Sequence, residues 1–255
     1  MFCTISTFYP HNYSFPIYDI FFSLLPYLNT FSFTFRFCIQ KNLFYNISLE
    51  EYKHLLGCLN AREKHFTGGE TVCSYDQAFH SIGILGKGSA LVVRYEINGA
   101  RTILERLEPQ DIFGQLLSAY QKNPLNGISV VCDEPCDVLF INYDGISRPC
   151  AKACTYHQQL IQNMLTLISE KAVDLSERVE VLSQRTIREK LICFFLQMAG
   201  RQKSESFTLP FTMVDLADYL SIDRSAMTRE LKRMKEEGLI EINRRNIRLH
   251  IEAAV

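Results

Sequence analysis

Between Pro149 and Gly200 the chain carries neither glycine nor proline, and a stretch of that length without a breaker is restricted to helix. Proline suits the first helical turn, where its missing N–H would be unpaired anyway, so a helix is expected from Pro149 onward. Within it Ile161, Ile168, Leu175 and Leu182 recur every seven residues, and Leu165, Ala172 and Val179 stand four after the first three. Charges such as Glu170, Lys171, Asp174, Glu177 and Arg178 lie outside that stripe. A strict 3-4 repeat is narrower than the face an ordinary helix turns to a core, and it is the pattern of a coiled-coil seam. The repeat favours a parallel two-helix seam between copies of the chain; a helix packed on its own domain is the alternative. A second helix is expected from Ser183, with Ile187, Leu191, Phe194, Phe195 and Met198 buried.

The segment from Phe211 to Leu239 divides into two short helices. Thr212 with Asp215 three residues on has the form of a capping box, and Val214, Leu216, Ala217 and Leu220 form the expected buried side. Ser221, Ile222 and Asp223 make a turn, Asp223 caps the second helix and Gly238 ends it. On that second helix Met227, Leu231 and Met234 share one face. Ser225, Arg229 and Lys232 then fall on the opposite side, Thr228 lies at one edge, and Arg224 projects from the N-terminal end. An apolar back with hydrogen-bond donors in front is what a helix needs to enter the major groove, where arginine suits the bidentate contact with guanine. After it, Leu239–Ile242 and Asn246–Ile251 read as a hairpin whose linker carries Arg244 and Arg245, a basic wing tip suited to phosphates. A winged helix that binds protein is the competing reading.

Ahead of the long helix the pattern changes. Leu49, Tyr52, Leu55, Leu56 and Leu59 follow helical spacing; from Phe66 to Tyr143, apolar doublets alternate with Gly68-Gly69, Gly83, Gly86, Gly88 and Gly114. Asn98-Gly99 between two β-prone runs signals a type I′ hairpin. A compact antiparallel barrel or roll is expected. Met1 to Phe37 is different again, with nine phenylalanines and four tyrosines but one acid, Asp19, and one base, Arg36. It lacks the order of a signal peptide, and Asp19, Pro26, Asn29 and Arg36 interrupt any apolar span. This segment is expected to be an atypical extension, either poorly ordered or upstream of the native start.

Balanced charge, 27 basic against 28 acidic residues, excludes a histone-like binder, and 47% hydrophobic residues exclude a disordered tail. Nine cysteines without a secretion signal read as thiols in a reducing compartment.

The order of strand-rich half, long helix and helix-turn-helix resembles the Crp/Fnr superfamily of bacterial transcription regulators across residues 42–252. Three segments carry the resemblance: DIFGQ at Asp111–Gln115, HQQLIQNMLTLISEKAVDLSERVEVLSQRTIREKL at His157–Leu191 and DLADYLSIDRSAMTREL at Asp215–Leu231. The last two are similar to the clostridial-type branch. The resemblance implies an α+β fold: a cyclic-nucleotide-binding-type β-roll, jelly-roll-like, then a long dimerisation helix and a C-terminal winged helix-turn-helix. The corresponding boundaries are 1–41 for the extension, 42–148 for the effector-binding roll, 149–182 for the helix and 183–255 for the DNA-binding domain. It further implies a cytoplasmic homodimer on double-stranded DNA, with no membrane, and with RNA polymerase as a partner if the protein activates. By the family's motif Arg224, Ser225 and Arg229 read bases.

The family's effector cassette maps onto Phe113, Gly114, Gln115, Asn126 and Gly127, with departures. Members that bind cyclic AMP carry a Gly-Glu pair for the ribose and an Arg-Ser pair for the cyclic phosphate. Here Gly114 is kept, Gln115 replaces the glutamate, and the loop from Asn123 to Ser129 has no arginine. The phosphate would lose its strongest charge-assisted partner, and Lys122 is a poor substitute for a guanidinium fork. No response to cyclic AMP is therefore expected, and the effector stays open. A rival sensor is a redox or metal site at Cys150, Cys154 and His157, which share one helical face. Cys58, Cys132 and Cys136 would complete it only if the roll packs on that face. The family's iron–sulfur members carry an N-terminal cysteine cluster, and only Cys3 and Cys38 lie there. Buried structural thiols are the alternative. An enzyme is the competing class, but no phosphate-binding glycine loop, HExxH, GxSxG or paired CxxC motif is present, and only a thiol-redox activity at Cys73 or Cys193 stays open.

Overall fold

The computed structural model describes residues 42–75, 81–96, 99–114, 127–147 and 155–250. Residues 1–41, together with Asn98, Gln115, Lys122, Asn126, Cys150 and Cys154, lie outside the described residues. Helix α1 (Leu49–Cys58) starts at a full capping box, with Ser48 accepting from the Glu51 amide and the Glu51 carboxylate accepting from the Ser48 amide. Eight strands follow: β1 (Arg62–Phe66), β2 (Thr71–Ser74), β3 (Ser81–Lys87), β4 (Ala90–Tyr95), β5 (Arg101–Leu107), β6 (Ile112–Gly114), β7 (Ile128–Cys132) and β8 (Cys136–Asn142). They form two antiparallel four-stranded sheets, ordered β1-β8-β3-β6 and β2-β7-β4-β5. This is the jelly-roll-like arrangement expected.

The roll is covered on both outer faces, which explains why its strands read as apolar runs rather than clean alternation. Between the sheets lie Tyr75, Leu85, Val92, Leu107, Phe113, Val130 and Val138. On the outside of the first sheet, Ile82, Ile84, Ile112, Leu139 and Ile141 meet Tyr52 and Leu55 of α1 and Leu59, which caps it. On the outside of the second, Leu91, Val93 and Ile103 pack against the C-terminal domain. The β4–β5 hairpin differs from expectation. Tyr95 pairs with Arg101, the Glu96 amide donates to Ala100 O, and the Gly99 amide donates to Glu96 O. That register is not the one a two-residue loop at 98–99 would set; Gly99 takes the left-handed φ of 82°, and Asn98 lies outside the described residues.

After α2 (Tyr143–Ser147), the long helix α3 runs Thr155–Ser183 and α4 runs Ile187–Gln202. Thr186 and Glu189 cap α4 reciprocally, worth about 1 kcal/mol. The C-terminal domain adds β9 (Ser206–Thr208), α5 (Met213–Leu220), α6 (Arg224–Glu236), β10 (Ile240–Asn243) and β11 (Asn246–Leu249), its sheet ordered β10-β11-β9. Its core joins Leu191, Phe194 and Phe195 of α4 to Leu216 and Leu220 of α5 and to Met227, Leu231 and Met234 of α6. Val214, expected inside, is exposed. Three residues complete that side of so short a helix, which leaves Val214 on its edge. At Thr212 only half the box forms: the side chain accepts from the Asp215 amide but donates its hydroxyl to the Asp215 carboxylate, which is too short to reach back. No helix among the described residues is long and apolar enough to cross a membrane.

Candidate nucleic-acid interface

The turn between α5 and α6 is set by Ser221, which takes the left-handed φ of 53°, and by Asp223, whose carboxylate accepts from the Ala226 amide at 2.8 Å. That carboxyl is held below its usual range by the Ser225 hydroxyl, the Ala226 amide and the nearby Arg229 charge. With Met227, Leu231 and Met234 buried, Arg224, Ser225, Thr228, Arg229 and Lys232 all lie on the exposed side of α6. Two of the five have their hydroxyl protons engaged. Ser225 Oγ donates to Asp223 Oδ1 at 2.5 Å, and Thr228 Oγ1 donates back to the Arg224 carbonyl at 2.8 Å. The strong outward donors are thus Arg224, Arg229 and Lys232, with Lys232 3.7 Å from Glu236. At the other end Arg188 of α4 grips Glu230 and Glu237 at 2.6–2.8 Å, tying α6 to the domain core.

The wing places Arg244 and Arg245 in the two-residue turn closed by the Asn243–Asn246 pair, both exposed. Arg244 holds φ 55°, uncommon for a side chain with a Cβ. Strand β9, absent from the sequence expectation, flanks the wing by pairing Phe207 with Ile247.

The long helix carries two stripes. Leu160, Met164, Leu167, Lys171, Arg178 and Val181 face the chain's own domains: the first three meet the roll core, Lys171 pairs with Glu105, and Val181 joins the C-terminal core. Arg178 donates to the carbonyls of Ile103, Leu104 and Tyr219, and its guanidinium lies 4.1 Å from the Tyr219 ring centre. The heptad stripe stands one residue further on. Leu165 is 60%, Leu175 57% and Val179 65% exposed, with Ile161, Ile168 and Ala172 also exposed and Leu182 half-buried. Packing on the chain's own roll and an open seven-residue stripe therefore coexist on one helix.

The effector and thiol candidates are placed less favourably. Phe113 is a core side chain, edge-on to Phe140 and lying over Gly83, while the cassette residues from 115 to 126 lie outside the described residues. Gly114 donates its amide to the Tyr75 hydroxyl at 3.0 Å. Gly127 has φ 84°, and a Cβ there would stand 2.5 Å from the Tyr95 carbonyl; it lets β7 close onto β4. His157 is buried on α3. Cys132 and Cys136 point between the two sheets, not toward α3, so they cannot complete a site with it. Burial pushes the thiols of Cys132, Cys136 and Cys193 up and that of Cys73 up to about 12, which favours the protonated thiol. No cluster of three metal-capable side chains occurs among the described residues.

One group of charges had no sequence signal: Arg101 of β5 bonds Asp215 and Asp218 of α5, joining roll to helix-turn-helix across more than a hundred residues. Spacing patterns see only neighbours in sequence, and neither Arg101 nor Asp218 belongs to one.

Residues 189–254 match the family model described as a Crp-like helix-turn-helix domain, and residues 63–152 match that of a cyclic nucleotide-binding domain. The chain is 24% identical over 199 residues to the nitrogen fixation regulation protein FixK of Bradyrhizobium diazoefficiens, covering 76% of this chain and 78% of that protein. Its fold is similar to that of FixK2 from Bradyrhizobium japonicum, at TM-score 0.57 and 18% identity over 74% of this chain and 92% of that one. It is also similar to a mutant of CooA from Carboxydothermus hydrogenoformans, at TM-score 0.62 and 18% identity over 76% and 85% of the two chains.

Proposed function

The chain belongs to the Crp/Fnr superfamily of DNA-binding transcription regulators, and on that premise we propose that α6 reads base edges in the major groove while the wing holds phosphates. The protein works as a cytoplasmic homodimer paired along the heptad stripe of α3, presenting one α6 per half-site. The reading rests on the outward face of α6, where Arg224, Arg229 and Lys232 stand exposed opposite a buried Met227, Leu231 and Met234. The roll is the effector domain. Its ligand is not cyclic AMP, because the segment that would hold the cyclic phosphate, from Asn123 to Ser129, offers no arginine.

Footprinting tests this directly. A two-fold dimer should protect a near-palindrome whose half-site centres lie about one helical turn, roughly 10 base pairs, apart. Arg229→Ala should lose about 1–3 kcal/mol and relax specificity at one position in each half-site. If Arg229→Ala weakens specific and random duplexes equally, α6 is an electrostatic handle and base readout lies elsewhere.

A further inference from the structure

The carboxylate of Asp218 is shared by two arginines from different domains. Arg101, the first residue of β5, donates from Nε to Asp218 Oδ2 at 2.8 Å, and its Nη2 lies 2.7 Å from the same oxygen. Arg224, the first residue of α6, reaches the same carboxylate only at 3.4–3.5 Å. The side chains differ in freedom as well: Asp218 is 12% exposed, Arg101 28% and Arg224 58%. Charge-assisted bonds below 2.9 Å are strong, while contacts near 3.5 Å are at the limit of bonding. Arg101 therefore holds Asp218, and Arg224 is left extended into solvent.

We propose that Asp218 is a positioning residue through which the roll sets the reach of Arg224: while Arg101 occupies the carboxylate, Arg224 is available to DNA. This rests on the base-reading role proposed for Arg224. Asp215 does not share the task. It sits in the first turn of α5, where the helix dipole favours an anion, and it accepts the Thr212 hydroxyl at 2.6 Å in addition to Arg101, so it has local partners that Asp218 lacks. Asp218 lies one turn later, and among the described residues its side-chain partners are Arg101 and Arg224. Without Arg101 a mostly buried carboxylate is left short of a cation. Arg224 is close enough to fold back onto it, which takes the guanidinium from the groove. The roll thus acts on the readout face without touching DNA, and any movement that draws the β4–β5 hairpin from α5 switches Arg224 inward.

The test uses the full chain and the palindrome footprinted for the wild type, read by fluorescence anisotropy. Arg101→Gln should weaken specific binding about tenfold and relax preference at the same half-site position as Arg224→Ala. Arg101→Lys, which keeps the charge but not the fork, should lose less. Adding Asp218→Asn to Arg101→Gln removes the competing carboxylate and should restore most of the affinity and the lost preference. A plain interdomain clamp gives the opposite result, with the double variant no tighter than Arg101→Gln, because Asp218→Asn opens the same ion pair; that outcome overturns the proposal. If Arg224→Ala itself changes no base preference, the assignment of Arg224 as a reader fails first. If Arg224→Ala relaxes one position while Arg101→Gln relaxes none, only the shared carboxylate fails.

Discussion

Leu175 gives the most direct access to the dimer. It is 57% exposed on its own chain, in the middle of a stripe whose other members are also open except Leu182, which is half-buried. Full burial of a leucine is worth about 1.5–3 kcal/mol, so covering the exposed part yields about 1–1.5 kcal/mol per helix and about 2–3 kcal/mol per dimer. At 1.4 kcal/mol per decade, Leu175→Ala should raise the dimer dissociation constant roughly 30- to 150-fold. Leu175→Asp should do more, since two carboxylates would meet in an apolar seam at a penalty of several kcal/mol if both stay buried and charged. Val173 is an internal control: it is 58% exposed, as open as Leu175, yet lies off the stripe. Sedimentation velocity across a concentration series should show Leu175→Asp as monomer and Val173→Asp as dimer, with both still folded by circular dichroism. If Leu175→Asp stays dimeric, or Val173→Asp dissociates equally, the heptad stripe is not the interface.

Two further outcomes follow from backbone and charge. Arg244→Gly removes a wing cation but relieves a φ of 55°. The variant should gain about 1 kcal/mol in urea unfolding, because glycine adopts that conformation freely, while its salt dependence of DNA binding falls by about one counterion per subunit. An unchanged salt slope would remove Arg244 from the phosphate contacts. Burial pushes the Asp111 carboxyl above its usual range, with the Lys171 charge opposing it. A carboxyl with a raised folded pKa carries no penalty below its unfolded value, near pH 4, and the penalty grows as pH rises through the folded value. Asp111→Asn keeps an acceptor for the Glu108 amide, so its urea midpoint should gain on the wild type from pH 4 to pH 7. A difference that shrinks with pH would contradict this.

What was legible in the sequence was local. Met227, Leu231 and Met234 declare a buried face because a helix repeats within two turns, and Asp223 declares a cap because its bonds are to Ser225 and Ala226 close by in sequence. Asn98-Gly99 marks a hairpin, but a two-residue and a three-residue loop both use a left-handed glycine, so the register had to come from Tyr95 pairing with Arg101. Strand β9 was invisible because three residues carry no period, and its partner β11 lies some forty residues downstream. Phe113 sits in a family cassette, yet whether its ring lines a pocket or fills the core depends on Gly83 opposite it. Arg101 and Asp218, 117 residues apart, are joined only by the docking of two domains.

The two stripes of α3 bear on how such a helix can carry a signal. The inward stripe and the heptad stripe run in step, offset by a single residue, about 100° around the axis. Both follow a 3-4 spacing, so they stay adjacent for the whole length instead of crossing. The helix therefore cannot turn toward one partner without turning from the other. The inward side is fixed by directional groups rather than by oily contact alone: Lys171 on Glu105, and Arg178 on the carbonyls of β5 and α5 together. Arg178 is largely removed from water, and burial lowers its pKa, so breaking its bonds would leave a desolvated guanidinium without its acceptors. Displacement of β5 by an effector would thus be resisted by Arg178 until α3 and α5 move with it, which carries the seam, Asp218 and the base of α6 along in one step.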